Sequence, residues 1–209
     1  MVASNHGLCV LCKQDVQYRS MTKHLNKCLA QEISPNITSK EKIFLIKIYS
    51  GKLFWLFIEI NGLSTLEKLD AFLRRTWLEC CGHMSQFNIN GEYYSSEEEM
   101  GVLINSILNI GTEFDYVYDF GSSTELKAKV VSIRPGKLSK KLRLLAQNTL
   151  PEEVKCTTCQ ELPEVICSVC YDFCCKKCKQ KHNSCEGEEF MLPIVNSPRM
   201  GICGYTGQD

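Results

Sequence analysis

The chain has 209 residues, of which 44% are hydrophobic. That composition leaves room for one ordinary domain with small attachments or for two modest domains, and it excludes wholesale disorder. Basic and acidic residues balance at 24 each, so no global field draws the chain to nucleic acid or membranes. The longest nearly apolar stretch, Leu53 to Ile58, is far shorter than the roughly 20 residues of a membrane span.

Cysteine is the unusual component, with 14 residues. The first residues lack the charged start and apolar run of a secretory signal, so we expect a cytoplasmic protein with reduced thiols. Many of the cysteines lie in pairs of the form C-x2-C, a spacing that favours metal binding over a disulfide scaffold, which is the alternative.

Charge shifts along the chain coincide with changes in hydrophobic pattern. Residues 126–150 hold seven basic and no acidic side chains, whereas the segment before them is acidic. We therefore predict a finger at 1–40, an α+β body at 41–135, a basic strand or linker at 136–150, a two-zinc module at 151–190, and a tail at 191–209 that packs on the body.

Near the N-terminus, a C-x2-C pair precedes an H-x3-C pair by 11 residues, which predicts a zinc finger with the ligands Cys9, Cys12, His24 and Cys28. His24 and Cys28 are four residues apart and share one helix face. Met21 and Leu25 provide a small apolar cap. A segment this short depends on zinc for stability. The spacing resembles the Cys-Cys-His-Cys relatives of the two-Cys, two-His finger.

The body contains apolar runs that predict strands and one main helix. Residues 42–61 form a hairpin around Gly51-Lys52, and Leu66 to Trp77 recur at helical spacing after a capping-box pattern at Ser64–Glu67. A third strand at 83–90 and a second hairpin around Gly121 follow. The fold class is therefore α+β, with a mixed sheet similar to a β-grasp and one packed helix, flanked by small zinc-stabilised modules at both ends.

Residues 41–135 resemble the plasmid pRiA Orf-three-like family. The resemblance depends mainly on His-x-x-x-Phe at His83–Phe87 and Tyr-Asp-Phe-Gly at Tyr118–Gly121. The cysteine-rich end and the tail VNSPRMGICGYTG are similar to those of a subgroup of that family. Many members carry an acidic residue, a tryptophan and a histidine after the glycine, where this chain has Ser122, Thr124 and Leu126. The resemblance implies a fold and kinship, without an established reaction.

Among ionisable residues of the body, only His83 and Asp119 are candidates for acid–base work. Their ordinary interpretation is a strand-end imidazole and a turn aspartate. Cys80 and Cys81 are interpreted as helix-end packing residues and Cys203 as a packed free thiol. With no phosphate loop and no catalytic constellation, we expect a protein that is not an enzyme.

The C-terminal segment carries the clearest spacing in the chain, with seven cysteines and a histidine in four pairs. Eight ligands satisfy two zinc ions with no open coordination position. The pattern is similar to B-box zinc fingers. That resemblance implies two interleaved sites, the first made of Cys156, Cys159, Cys175 and Cys178, and the second of Cys167, Cys170, His182 and Cys185. Spacing favours Cys175 over its neighbour Cys174 as a ligand.

Three structural zinc ions are thus expected, with no catalytic residue and no other cofactor. The preferred function is a zinc-binding, non-enzymatic adaptor with a protein partner. The alternative is a nucleic-acid-binding accessory protein of a mobile genetic element, using the finger and the 126–150 basic strip.

Overall fold

The computed structural model describes residues 5–32, 40–182, 185 and 190–207. Its main element is a nine-stranded sheet in which every pairing between strands is antiparallel. The spatial order is β2-β1-β9-β4-β3-β8-β7-β5-β6. The strands are β1 (His6–Cys9), β2 (Asp15–Gln17), β3 (Lys42–Ser50), β4 (Phe54–Asn61), β5 (Ser85–Ile89), β6 (Glu92–Tyr94), β7 (Glu113–Tyr118), β8 (Thr124–Pro135) and β9 (Leu142–Asn148).

The α+β class is confirmed, while the sheet is antiparallel where the sequence predicted a mixed one. The predicted hairpins are present as β3–β4 and β7–β8. Strands β3 and β4 are nearly continuous apolar runs because helices cover both faces of the sheet at its centre. Strand β7 alternates between buried and exposed residues because only one of its faces is covered.

One face of the sheet carries the larger core. Here α2 (Leu66–Leu73) continues into a π-helical turn (Arg74–Leu78) and buries Leu66, Leu69 and Trp77. Two short helices, α3 (Glu97–Met100) and α4 (Ile104–Ile107), close this core. The capping box expected at Ser64 does not form, because Thr65 is the N-cap and the Ser64 hydroxyl donates to the Lys141 carbonyl.

The opposite face is covered by the N-terminal segment. Helix α1 (Tyr18–Glu32) buries Met21, Leu25 and Leu29 against Trp55, Phe57 and Leu145 of the sheet. Strand β1 also pairs with β9, so the predicted finger is built into the sheet. Within the predicted 136–150 linker, β9 lies between β4 and β1 as an interior strand.

The C-terminal module has a three-stranded sheet of its own, in the order β11-β10-β12. Its elements are β10 (Val165–Cys167), β11 (Phe173–Cys174), α5 (Lys176–Lys179) and β12 (Met191–Pro193). After β12 the chain returns to the body, where Arg199 and Tyr205 are buried. Among the described residues, no helix is long and apolar enough to cross a membrane.

Candidate metal centres

Three of the C-x2-C pairs share one backbone turn. In the first, the Lys13 amide donates to the Cys9 carbonyl and the Cys9 amide donates to the Gln14 carbonyl. The same two bonds recur in two other segments. The Gln160 amide donates to the Cys156 carbonyl, and the Cys156 amide donates to the Glu161 carbonyl. Likewise, the Tyr171 amide donates to the Cys167 carbonyl, and the Cys167 amide donates to the Asp172 carbonyl. We call these three segments the knuckle turns. These three pairs therefore share one local structure, whereas the fourth C-x2-C pair, Cys175 and Cys178, lies at the start of a short helix.

In each knuckle turn the residue after the second cysteine has a left-handed backbone. The φ angles are 62° at Lys13, 65° at Gln160 and 62° at Tyr171. Non-glycine residues adopt this region infrequently and at some cost in free energy. The conformation turns the chain back so that backbone amides surround the thiols.

Those amides favour thiolates, the form that binds metal. Amide donation from Cys175 and then from Cys159 lowers the pKa of the Cys156 thiol to about 6, against the effect of burial. Burial raises the pKa of Cys167, but the amides of Cys170 and Val169 outweigh it and bring the pKa to about 6. In the same groups, burial first raises the pKa of Cys170 to about 12, and the hydrogen bond with Cys159 first raises that of Cys178 to about 12, so Cys156 and Cys167 are the thiols that ionise most readily.

The finger residues Cys9, Cys12, His24 and Cys28 form a compact group, with ligand atoms within 4.8 Å of one another. His24 Nε2 lies 3.1 Å from Cys12 Sγ and 3.4 Å from Cys28 Sγ. Helix α1 presents His24 and Cys28 on one face, as their spacing predicts. The knuckle turn supplies the other two ligands.

In the C-terminal module the structure brings together the two interleaved sets of four residues that the resemblance implied. In the first set, Cys159 Sγ lies 3.6 Å from Cys175 Sγ and 3.7 Å from Cys178 Sγ. Sulfur atoms about 2.3 Å from a tetrahedral zinc ion are about 3.8 Å apart. In the second set, Cys170 Sγ lies 3.6 Å from His182 Nε2.

Adjacent cysteines have separate positions in this module. Cys175 is the N-cap of α5 and belongs to the first set, whereas Cys174 belongs to neither set. The buried sulfur of Cys174 lies 3.8 Å from Nδ1 of His182, the ring nitrogen that faces away from Cys170. A group beside the non-ligating nitrogen orients a ligating imidazole. The Cys174 sulfur therefore contacts His182 of the second set, whereas Cys175 is one of the four residues of the first set.

A fourth group was not predicted from the sequence: Cys80, Cys81, His83 and Cys203 also place their ligand atoms within 4.8 Å of one another. The expectation that Cys203 is a packed thiol is wrong, because this residue is exposed. Cys80 and Cys81 follow the π-helical turn after its C-cap Glu79, and Cys203 belongs to the C-terminal tail. No C-x2-C spacing marks the group; adjacent cysteines and a Gly-flanked Cys203 were its only sequence signals.

The two acid–base candidates lie at this fourth group. Asp119 Oδ2 is 3.5 Å from His83 Nε2, but it also accepts a 2.6 Å hydrogen bond from the fully buried Arg199. Arg199, together with the amides of Ser122 and Gly121, lowers the pKa of Asp119 to about 2. This carboxylate stays ionised near neutral pH, which makes it a poor proton acceptor and a suitable partner for a buried guanidinium.

The basic strip is largely neutralised by ion pairs with neighbouring strands and helices. Arg134 and Arg143 both bond to Glu59, which is fully buried. Five of its seven basic residues form ion pairs, namely Lys127 with Asp115, Lys129 with Glu113, Arg134 with Glu59, Lys137 with Glu41, and Arg143 with Glu59 and Glu32.

Comparison with known proteins adds little about function. No family model and no curated protein matches this chain. A solved structure from Methanosarcina mazei Go1, described as a protein of unknown function (MM3350), is similar with a TM-score of 0.41 and 16% identity. The match covers 53% of this chain and 69% of that one. The four Cys/His groups are therefore the main functional observation, and they are positioned to hold metal ions such as zinc.

Proposed function

We propose that this protein is a zinc-binding, non-enzymatic adaptor whose finger and C-terminal module contain structural zinc ions. The observation that carries the proposal is the closed ligand set: each of these three groups supplies four protein ligands. Four-coordinate zinc with four protein ligands has no position for a substrate or an activated water. Membership of the plasmid Orf-three-like family is part of the same proposal.

The C-terminal module offers a surface for a protein partner. Its second knuckle turn exposes Val169 and Tyr171, and the Ser168 amide donates to the Phe190 carbonyl, which brings Phe190 beside them. We call Val169, Tyr171 and Phe190 the knuckle patch. An aromatic-rich apolar patch on a metal-stabilised turn is typical of a protein-binding surface.

The partner surface is tested with a Val169→Ser/Tyr171→Ser double variant. Because both side chains are exposed, the variant should retain its zinc and its fold. A partner is first identified by cross-linking in an extract of the native host and then purified. Its affinity should fall at least tenfold for the variant and stay unchanged for Ile110→Ser, a control at an exposed apolar residue of the body. Equal binding by the double variant would contradict the proposal.

The zinc sites are tested by elemental analysis of purified protein. Cys12→Ser and Cys159→Ser should each remove one ion, since each removes one ligand from one closed set. Retention of every ion in both variants would contradict structural zinc at these groups.

The strip's part in the nucleic-acid alternative is disfavoured by its ion pairs, which leave mainly Lys140 and Lys141 of the strip for phosphate contacts. We expect no binding to duplex or single-stranded DNA at low salt. Binding that weakens steeply with salt and is lost in Lys140→Glu/Lys141→Glu would favour the alternative instead.

A further inference from the structure

The fourth Cys/His group joins two segments that are distant in sequence. Cys81 Sγ lies 3.7 Å from both Cys80 Sγ and Cys203 Sγ. His83 Nε2 lies 2.9 Å from Cys81 Sγ and 3.2 Å from Cys203 Sγ. The sulfur separations equal those expected around a tetrahedral zinc ion, about 3.8 Å. The short nitrogen–sulfur distances resemble those of the finger group.

Packing does not explain why these side chains meet. Cys80 packs against the edge of the main core, but Cys81 and Cys203 are exposed and His83 is partly exposed, so burial of apolar surface does not account for the meeting of all four. Three thiols and an imidazole gathered at a surface are instead the donor set of a Cys3His zinc site.

The backbone around Cys203 is shaped to present its thiol. Cys203 has a φ of 50°, between Gly201 at 81° and Gly204 at 67°. A left-handed backbone is strained for a cysteine and persists where the surrounding structure fixes it. The residue after Cys203, Gly204, is also left-handed, as is the residue after the second cysteine in each knuckle turn.

A buried charge network supports the group from behind. Nη2 of Arg199 lies 3.4 Å from Cys80 Sγ and donates to Asp119. The Tyr118 ring lies between the guanidinium groups of Arg199 and Arg74, each 4.8 Å from the ring centroid. Arg199 is paired with the ionised Asp119, so it acts on the group as a hydrogen-bond donor to the Cys80 sulfur, with its charge already balanced. Such outer groups orient metal ligands and tune them.

We propose that Cys80, Cys81, His83 and Cys203 bind a fourth metal ion, of the zinc class, that fastens the C-terminal tail to the body. The site lies outside the finger and the C-terminal module, so it is independent of the adaptor function. All four positions belong to the protein, which makes the ion structural. Because two of its ligands are exposed, this ion exchanges more readily than the other three.

Metal stoichiometry of the full-length protein tests the proposal. Wild type should hold four ions per chain, and both Cys203→Ser and Cys81→Ser should hold three. The double variant should also hold three, because both residues bind the same ion. Ile110→Ser, a control at an exposed side chain outside all four groups, should keep four.

Thiol reactivity gives a second readout that a misfolded variant cannot imitate. In wild type, Cys81 and Cys203 should react slowly with iodoacetamide despite their exposure, and a mild chelator should expose them before the cysteines of the module. A count of three ions in wild type, together with rapid alkylation or a Cys81–Cys203 disulfide, would overturn the proposal. That result would leave the finger and module zinc sites intact, as shown by the losses in Cys12→Ser and Cys159→Ser.

Discussion

Gly7 lies where strand β1 approaches β9 most closely. A Cβ atom at this position would be 2.1 Å from the Gln147 carbonyl oxygen and 2.6 Å from the Asn148 Cα, and both are backbone atoms that cannot move aside. Glycine is therefore required for the finger to join the sheet.

We predict that Gly7→Ala destabilises the protein by about 2 kcal/mol or more, by separating β1 from β9. Hydrogen exchange should show lost protection in β1 and β9. Leu8→Ala, at an exposed neighbour, is the control and should stay close to wild type. An unchanged exchange pattern in Gly7→Ala would contradict this packing.

Glu59 is the acidic centre of a buried ion cluster. It is fully buried in β4 and bonds to Arg134 of β8 and Arg143 of β9 at 2.6–2.9 Å. These arginines belong to the strip that the sequence offered as a nucleic-acid surface, but they connect strands across the sheet.

Removing the Glu59 carboxylate takes from the partly buried Arg134 its ion-pair partner and leaves Arg143 paired with Glu32 alone. We predict that Glu59→Ala costs about 3 kcal/mol of unfolding free energy, measured by denaturant titration. Lys127→Ala, which removes an exposed 3.7 Å pair with Asp115, should cost less than about 1 kcal/mol. Equal losses would show that the Glu59 cluster has no special structural role.

Among the elements, helix α3 is held by its N-terminal cap. Ser96 accepts from the Glu99 amide, and the Glu99 carboxylate accepts from the Ser96 amide. The amides of Ser96 and Ser95 lower the pKa of Glu99. The cap fixes a four-residue helix that delivers Met100 to the main core.

We predict that Ser96→Ala costs about 1 kcal/mol. Because the folded pKa of Glu99 is below its unfolded value of about 4.3, the carboxylate stabilises the helix above that pH and the effect is lost as pH falls below it. Hydrogen exchange in α3, compared between pH 7 and pH 4, measures how much of this stabilisation is lost. Glu97→Gln changes a residue outside the capping box and should alter the exchange of α3 less than Ser96→Ala does. If hydrogen exchange in α3 does not respond to pH, the Glu99 carboxylate does not contribute to the stability of the helix.

Elements with regular patterns could be predicted from the sequence, and those assembled from distant segments could not. The apolar runs of β3 and β4 and the C-x2-C pairs are local signals, so their strands and turns were found. Residues 136–150 were predicted as a basic strand or linker, and the place of β9 inside the sheet was not predicted, because the pairing of its Arg143 with Glu59 is a tertiary contact. The fourth group was missed for the same reason, since Cys203 reaches Cys81 only after the tail has folded back on the body.

At the scale of the whole molecule, the metal groups depend on the cores to different degrees. Helix α1 packs on the sheet through Met21, Leu25 and Leu29, whereas the C-terminal module has few buried apolar side chains. The body has its own large core.

Chelation should therefore unfold the protein in stages. We predict that residues 156–182 lose hydrogen-exchange protection first, that the finger turn loosens while α1 stays protected, and that β3, β4 and β8 keep theirs. A chelator series followed by mass spectrometry measures this order. Simultaneous loss of protection in the module and in β3 would contradict independent cores.

The strand order has a consequence for how the protein is made. Gly7 of β1 pairs with Asn148 of β9. Strand β1 is synthesised before the other strands of the sheet, but it can pair only after β9 has been synthesised. At about 5–20 residues per second, translation leaves the nascent finger without its sheet for roughly 10–30 s. During that interval the finger has no interior to lie against, and only a bound ion would keep its ligands together until the ribosome delivers the partner strand.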